Sequence, residues 1–220
     1  MDLKRLDDPH GRGDFFKSLG MMMAGFLAET VEAAVTKTGP RLLRPPGALD
    51  EFDFLVACTR CDKCVQACPQ GSIFKAGPQA VLAAGTPVIE PRIMPCFLCT
   101  ALPCITACPE GALVWPKVTV PGTGPDAAAQ ELEGPPAVRM GTARVHRDRC
   151  LTYERGGQPA QPCRTCVDRC PYPGVAIRMG EPGADGLSHP KVAAAFCTGC
   201  GLCSFGCPVP DPAIVVEAKP

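Results

Sequence analysis

Four cysteines and a proline stand at fixed spacing in the stretch Cys58-Thr59-Arg60-Cys61-Asp62-Lys63-Cys64-Val65-Gln66-Ala67-Cys68-Pro69. The same pattern, C-x2-C-x2-C-x3-C-P, recurs from Cys197 to Pro208, and two looser groups between them keep the C-x3-C-P ending. All sixteen cysteines of the 220-residue chain belong to these groups. Group one is Cys58, Cys61, Cys64 and Cys68; group two is Cys96, Cys99, Cys104 and Cys108; group three is Cys150, Cys163, Cys166 and Cys170; group four is Cys197, Cys200, Cys203 and Cys207.

This spacing is typical of ligands to [4Fe–4S] clusters. Three cysteines two residues apart can wrap a loop around one cube of iron and sulfide, and the fourth follows a helical turn later. In two-cluster ferredoxins this fourth cysteine ligates the neighbouring cube. The sequence therefore predicts four [4Fe–4S] clusters on sixteen cysteine ligands, in a protein that transfers electrons.

Disulfides and zinc explain the pattern less well. Three thiols in C-x2-C-x2-C are too crowded for unstrained pairs, and zinc favours two C-x2-C pairs without a trailing proline. Cys150 is the weakest candidate ligand, because a C-x12-C gap separates it from Cys163. The alternative for Cys150 is a buried structural thiol.

Composition points the same way. Aromatic residues make up only 5% of the chain, and 23 glycines and 26 prolines leave little for a large aliphatic core. Bound metal can supply the missing stability, since binding and folding are coupled. The net charge of zero gives no indication of nucleic-acid binding. Without a Gly-rich phosphate loop or a candidate acid, base or nucleophile, an electron carrier is expected rather than an enzyme; the alternative is a maturation or interaction protein that uses clusters structurally.

Two units are predicted. Residues 1–40 contain no cysteine, and the apolar stripe Phe15, Leu19, Met22 and Phe26 predicts an amphipathic helix over 14–36, too short in its apolar part to span a bilayer. This helix either docks on a partner or a membrane surface, as peripheral contact, or packs on the protein itself. Residues 41–220 form the cluster domain.

An α+β fold is predicted for the cluster domain. Short apolar runs follow each Cys-Pro, as at Ser72-Ile73-Phe74, and strands lead into groups three and four. Strand, cluster loop, helical turn and strand is the ferredoxin-like half-unit, and it occurs four times, in tandem or nested βαβ modules. The stretch Pro121 to Pro136 is expected to be a loop-rich surface connection.

Several short motifs resemble the NapG/MauM family of ferredoxin-type proteins. They are Arg44-Pro45-Pro46-Gly47-Ala48, Ala84-Gly85-Thr86-Pro87, Arg92, Pro95-Cys96, Pro103-Cys104, Cys108-Pro109-Glu110-Gly111-Ala112-Leu113 and Met140-Gly141. The resemblance implies redox protein partners, with electrons passing from a membrane quinol-oxidising protein toward a terminal reductase.

A more distant resemblance, to the electron-transfer subunit of dimethyl-sulfoxide-reductase-type enzymes, implies a nested pairing of groups. Group one would then share cysteines with group four, and group two with group three, so that Cys207 completes the first cluster and Cys108 the third. The similar gaps from Cys68 to Cys96 and from Cys170 to Cys197 instead permit sequential pairing, one with two and three with four. The resemblance favours nesting.

The N-terminus departs from the exported members of that family. Gly11-Arg12-Gly13-Asp14-Phe15-Phe16-Lys17 has the shape of a twin-arginine signal, but glycine replaces its second arginine, and no Ala-x-Ala site follows. A retained helix and a cytoplasmic location, with membrane association left open, are predicted. The alternative is a periplasmic protein exported by a degenerate signal.

Charge differs between the cysteine groups. Groups one and three contain basic residues (Arg60, Lys63, Arg155, Arg164 and Arg169), whereas groups two and four contain no charged residue between first and last cysteine. Nearby cations stabilise the more negative, reduced cluster. The clusters held mainly by groups one and three are therefore predicted to be reduced first; the alternative is that these charges only keep the exposed loops soluble.

Overall fold

A computed structural model of the chain describes residues 41–122, 127–154, 156–183 and 186–219. The helix expected over 14–36 and the separate unit 1–40 lie outside the described residues and stay predictions. Within the described residues no helix is both long and apolar enough to cross a membrane.

Short helices and strands alternate with loops, as the α+β prediction requires. The α-helices are α1 Glu51–Ala57, α2 Lys63–Ala67, α3 Pro103–Thr106, α4 Thr165–Asp168 and α5 Leu202–Phe205. Three 3-10 helices span Pro78–Ala83, Pro135–Ala137 and Ala194–Phe196 among these residues. The strands are β1 Ile73–Lys75, β2 Pro87–Ile89, β3 Lys117–Val120, β4 Gln130–Glu133, β5 Gly141–Val145, β6 Ile177–Met179, β7 Pro190–Val192 and β8 Ile214–Ala218.

Each Cys-Pro ends a short helix. Helices α2 to α5 each carry the third cysteine of a group, and the fourth cysteine follows within two residues of the helix end. Proline cannot continue a helix and pushes the preceding residue toward extended backbone. Cys68 has such a conformation, with φ −76° and ψ 110°. The proline therefore turns the chain out of the cluster loop and into the next segment.

The first half of the fold is a module built from groups one and two. Strands β1 and β2 lie between the two groups and pair antiparallel, with Ile73 opposite Ile89. The two outer ends of the module meet in a single antiparallel bridge between Ala48 and Leu113. This bridge stands where a strand was expected at Ala112–Val114.

The second half repeats this plan with groups three and four. Strands β6 and β7 lie between the two groups, and Ile177 pairs with Val192. The outer strands β5 and β8 pair antiparallel from Gly141 with Ala218 to Val145 with Ile214. Each module therefore folds its second group back onto its first through a two-stranded ribbon.

Cysteines are part of the hydrophobic core rather than additions to its surface. Phe54, Leu102 and Val138 are buried in a cluster that includes Cys64 and Cys104. The same core receives Cys200 from the second module, so the two modules share apolar packing.

The stretch from Pro121 to Pro136 is more ordered than predicted. Its residues Gln130–Glu133 form β4 and pair with β3, Lys117 standing opposite Glu133. The exposed strand ribbon satisfies backbone hydrogen bonds without burying much apolar surface, and polar composition alone does not reveal such pairing.

Candidate iron–sulfur sites

The cysteines line four cavities, with four thiols to each. Site A is lined by Cys58, Cys61, Cys64 and Cys108, and site B by Cys68, Cys96, Cys99 and Cys104. Site C is lined by Cys170, Cys197, Cys200 and Cys203, and site D by Cys150, Cys163, Cys166 and Cys207. The structure thus brings together all sixteen cysteines that the sequence singles out, including Cys150.

Each site takes three cysteines from one group and the fourth from the other group of its module. Cys108 completes site A and Cys68 completes site B, so groups one and two exchange their last cysteines; groups three and four do the same through Cys170 and Cys207. The nested pairing is wrong for this fold. The ribbons β1–β2 and β6–β7 bring each group onto its neighbour in sequence, and thus favour the sequential alternative.

The cluster loops of groups one, two and four share an unusual backbone. Each has two residues with positive φ, at the position before the second cysteine and at the position that precedes the short helix. These residues are Arg60 and Asp62, Leu98 and Leu102, and Gly199 and Gly201. Left-handed backbone costs about 1–2 kcal/mol for a residue with a side chain. Three loops of different sequence share this left-handed backbone, which indicates that the bend has the same role in each loop.

Backbone amides point at several of the sulfurs. Ser72 N–H lies 3.3 Å from Cys68 Sγ, Ala143 N–H lies 3.4 Å from Cys197 Sγ, and Tyr172 N–H lies 3.4 Å from Cys170 Sγ. Hydrogen bonds to cluster sulfurs help to set reduction potential. The chain therefore supplies donors where thiolate ligands of a cluster would need them.

Burial raises the pKa of thiols at all four sites. The pKa is raised to about 11 for Cys64 at site A, to about 12 for Cys96 and Cys104 at site B, and to about 12 for Cys166 at site D; that of Cys203 at site C is raised as well. Neighbouring cysteine charges add to the effect of burial. Four thiolates around one partly buried cavity are unfavourable until metal cations replace their protons.

The donor set fits an iron–sulfur cluster better than a single ion. All sixteen cysteines are free thiols. Among the described residues, no three cysteine, histidine or acidic side chains lie close enough together to hold one metal ion. Tetrahedral zinc needs sulfur about 2.3 Å from the metal. Four thiols that line a common cavity without converging on one point suit a cube that takes one cysteine at each iron. A bound cluster supplies one-electron redox chemistry, and the chain supplies its ligands, hydrogen bonds and burial.

The four sites are neighbours in the order A, B, C, D. Between A and B, helix α2 packs against α3, and the Cys104 thiol lies near those of Cys64 and Cys68. Between B and C, Cys96 N–H donates to the Cys200 carbonyl at 2.9 Å. Between C and D, α4 packs against α5, and Cys203 lies near Cys166.

Comparison with known proteins agrees with this geometry. A family model described as a 4Fe-4S dicluster domain matches residues 57–112, which hold groups one and two. The chain is 36% identical over 197 residues to the methylamine utilization ferredoxin-type protein MauM of Paracoccus denitrificans, covering 88% of this chain and 79% of that protein. The chain belongs to the NapG/MauM family of ferredoxin-type proteins.

Other relatives support the same membership. The ferredoxin-type protein NapG of Escherichia coli is 33% identical over 217 residues, covering 94% of this chain and 85% of NapG. NapF of Escherichia coli, another ferredoxin-type protein, is 33% identical over 167 residues, covering 76% of this chain and 80% of NapF. No solved structure matches the chain. As a member of this family, the protein is a ferredoxin-type iron–sulfur protein of electron transfer.

The NapG/MauM motifs have structural roles around the sites. The Arg44 guanidinium is buried, pairs with Glu51, donates to Thr86 Oγ1 at 2.7 Å and stacks over the Phe54 ring. A side chain on Gly47 would collide with the Val114 carbonyl.

Two of these motifs bring the modules and loops together. In Met140-Gly141, the glycine backbone lies against Gly199 of group four. Arg92 donates from module one to the Ser204 carbonyl at 2.8 Å and to Pro210 at 3.3 Å. The cysteine pattern does not predict these contacts, and in the sequence only the family motifs indicate them.

Proposed function

We propose that this protein is an electron-transfer subunit that carries four [4Fe–4S] clusters, one at each of sites A to D. The observation that carries the proposal is that four cavities are each lined by four cysteines, three from one group and one from its neighbour. All sixteen cysteines are the ligands, and each ferredoxin-like module holds two clusters.

The four clusters form one linear relay. The contacts between neighbouring sites support the order A, B, C, D, and they support electron entry at one end and exit at the other. Cys61 of site A is the exposed thiol among the sixteen. One-electron transfer between clusters needs no acid, base or nucleophile, so the protein acts as a carrier and not as a catalyst.

The partners are redox proteins. From the family resemblance we infer a quinol-linked donor in the membrane and a terminal redox enzyme as acceptor. Residues 1–40 form a separate unit whose helix over 14–36 docks on a partner or on the membrane surface, with the cluster domain in the cytoplasm. Mass measurement of the protein from its native cell tests retention of this segment: a mature chain that starts near residue 35 would instead indicate cleavage and export.

Metal analysis tests the four-cluster proposal. Protein purified without oxygen should contain about sixteen iron and about sixteen acid-labile sulfide per chain, four of each per cluster. About half of that iron would contradict four clusters, and zinc in place of iron would contradict iron–sulfur ligation. Electron delivery to an acceptor protein after full reduction separates the carrier from a protein that uses its clusters only structurally.

A further inference from the structure

Arg139 has a buried hydrogen-bond donor that the protein does not satisfy. Its Nη1 donates to the Pro136 carbonyl at 2.8 Å and to the Val138 carbonyl at 2.7 Å. Within the residues that the structure describes, its Nη2 is buried and has no hydrogen-bond partner. Guanidinium is charged at any ordinary pH, and a buried charged donor without an acceptor is strongly unfavourable. The geometry therefore calls for an acceptor that is not part of the polypeptide.

The position of Arg139 indicates where that acceptor lies. The next residue, Met140, donates its N–H to the Thr198 carbonyl at 3.0 Å, so this segment runs beside group four. Burial lowers the pKa of the Arg139 guanidinium, and the neighbouring Cys197 thiol and Tyr172 hydroxyl oppose this lowering. Tyr172 in turn donates its N–H to Cys170 Sγ. Arg139 thus lies beside site C.

The nearby carboxylates do not account for the free donor. Asp50 and Glu51 line a cleft together with Arg139, and both already have cationic partners. Glu51 accepts from Arg44 Nε at 2.8 Å, and Asp50 is paired with Lys219 at 2.8 Å. Neither carboxylate hydrogen-bonds to Arg139. The cysteines of site C are therefore the negative groups that remain available to Arg139 Nη2.

We propose that Arg139 Nη2 donates a hydrogen bond to a sulfur of the cluster at site C, and that its charge raises the reduction potential of that cluster. The proposal rests on the proposed [4Fe–4S] cluster at this site. A cation close to a four-thiolate cluster favours the reduced state, which carries one more negative charge. It follows that the cluster of the charge-free group four receives its cation from outside the cysteine loop. This shifts the potential of that cluster in the direction opposite to the one expected from the loop sequences.

Potentiometric titration followed by paramagnetic resonance tests the charge effect. The site C signal is identified as the one that Cys203→Ser removes or converts. Arg139→Gln should lower the midpoint potential of this signal and leave those of sites A and D nearly unchanged, whereas Arg139→Lys should keep most of the potential. The matched control is Arg178→Gln, which removes an equal charge from the exposed face of β6. An unchanged potential in Arg139→Gln, or an equal shift in the Arg178→Gln control, would overturn the proposal.

A second measurement uses the unaltered protein and does not depend on the folding of a variant. With ¹⁵N placed only in the guanidinium groups of arginine, pulsed paramagnetic resonance of the reduced site C cluster should show weak ¹⁵N coupling, and Arg139→Lys should remove it. Absence of coupling in the unaltered protein, or its persistence in Arg139→Lys, contradicts the proposal. Iron content distinguishes this failure from failure of the proposed function: a full iron complement without ¹⁵N coupling rejects only the role of Arg139.

Discussion

Two arginines of this chain show how burial changes what an ion pair contributes. Arg44 keeps only 7% of its side chain exposed and holds Glu51, Thr86 and the Pro87 carbonyl together. Arg144 pairs with Glu217 at 2.8 Å, but 67% and 49% of these two side chains remain exposed. Water screens the second pair, whereas removing Arg44 would take away the guanidinium that pairs with the Glu51 carboxylate.

Arg44→Met should therefore destabilise the protein by about 3 kcal/mol, at the low end of what breaking a buried pair costs, because Glu51 keeps some solvent contact. Arg144→Met is the matched control and should cost less than about 1 kcal/mol. Unfolding rates of the cluster-loaded proteins in urea, followed by the loss of cluster absorbance, measure the difference. Equal rates for the two variants would show that the Arg44 network does not stabilise the native state.

Single cysteines test the exchange between groups. Because site D contains Cys207, both Cys150→Ser and Cys207→Ser should remove or convert the same paramagnetic signal. Cys170→Ser should alter a different signal, that of site C, although Cys170 belongs to the same sequence group as Cys150. If Cys108→Ser altered the same paramagnetic signal as Cys150→Ser, the ligands would be paired in the nested arrangement instead.

In the cluster loops, the effect of replacing a glycine that has positive φ depends on which atoms lie next to it. Gly201 has φ +85°, and a Cβ there would lie 2.5 Å from Pro91 of the first module. Gly174 has φ +79°, but a Cβ there would meet nothing within 4 Å. The two glycines therefore separate the cost of the backbone conformation from the cost of a collision.

Gly201→Ala should speed loss of the site C cluster to a chelator, since the loop has to move away from Pro91. Gly174→Ala should show only the conformational cost, about 1–2 kcal/mol, with site C little changed. The rate of iron loss to an excess of chelator, site by site, measures both. Similar rates for the two variants would mean that close contact between loop and neighbouring module does not protect the cluster.

Sequence reasoning predicted the elements near the cysteines and missed those held by distant contacts. Strands β1 and β8 follow from apolar runs after a Cys-Pro, and the short helices follow from the C-x3-C-P ending. The partner of a fourth cysteine could not be predicted, because it depends on which group a ribbon folds back. The role proposed for Arg139 could not be predicted, because this residue lies outside every cysteine group in the sequence, although in space it lies beside group four.

Across the whole molecule, the two modules meet at the inner sites. The Cys96 amide of site B binds the Cys200 carbonyl of site C, and Arg92 spans from the first module to carbonyls around the end of α5. The Cys207 carbonyl of the outer site D also accepts a hydrogen bond from Arg92 Nη1, at 3.5 Å. The contacts between neighbouring sites support the linear order A, B, C, D.

Removing an inner site should isolate the ends. After full reduction, Cys99→Ser at site B should abolish magnetic coupling between site A and the second module, whereas Cys61→Ser at site A should leave coupling between sites B and C intact. Microwave power saturation of each signal measures this coupling. If Cys99→Ser left site A coupled to the second module, the linear order would be wrong.

Because the last cysteines are exchanged within each module, the ligand sets of the four sites are completed at different times during synthesis. The ligands of sites A and B are all present once residue 108 has been made, whereas site C is incomplete until Cys203 has been made and site D until Cys207 has been made. If the four proposed clusters are inserted during synthesis, sites A and B can be filled before sites C and D have all their ligands. A shortage of clusters late in synthesis would then leave a protein with sites A and B filled and sites C and D empty.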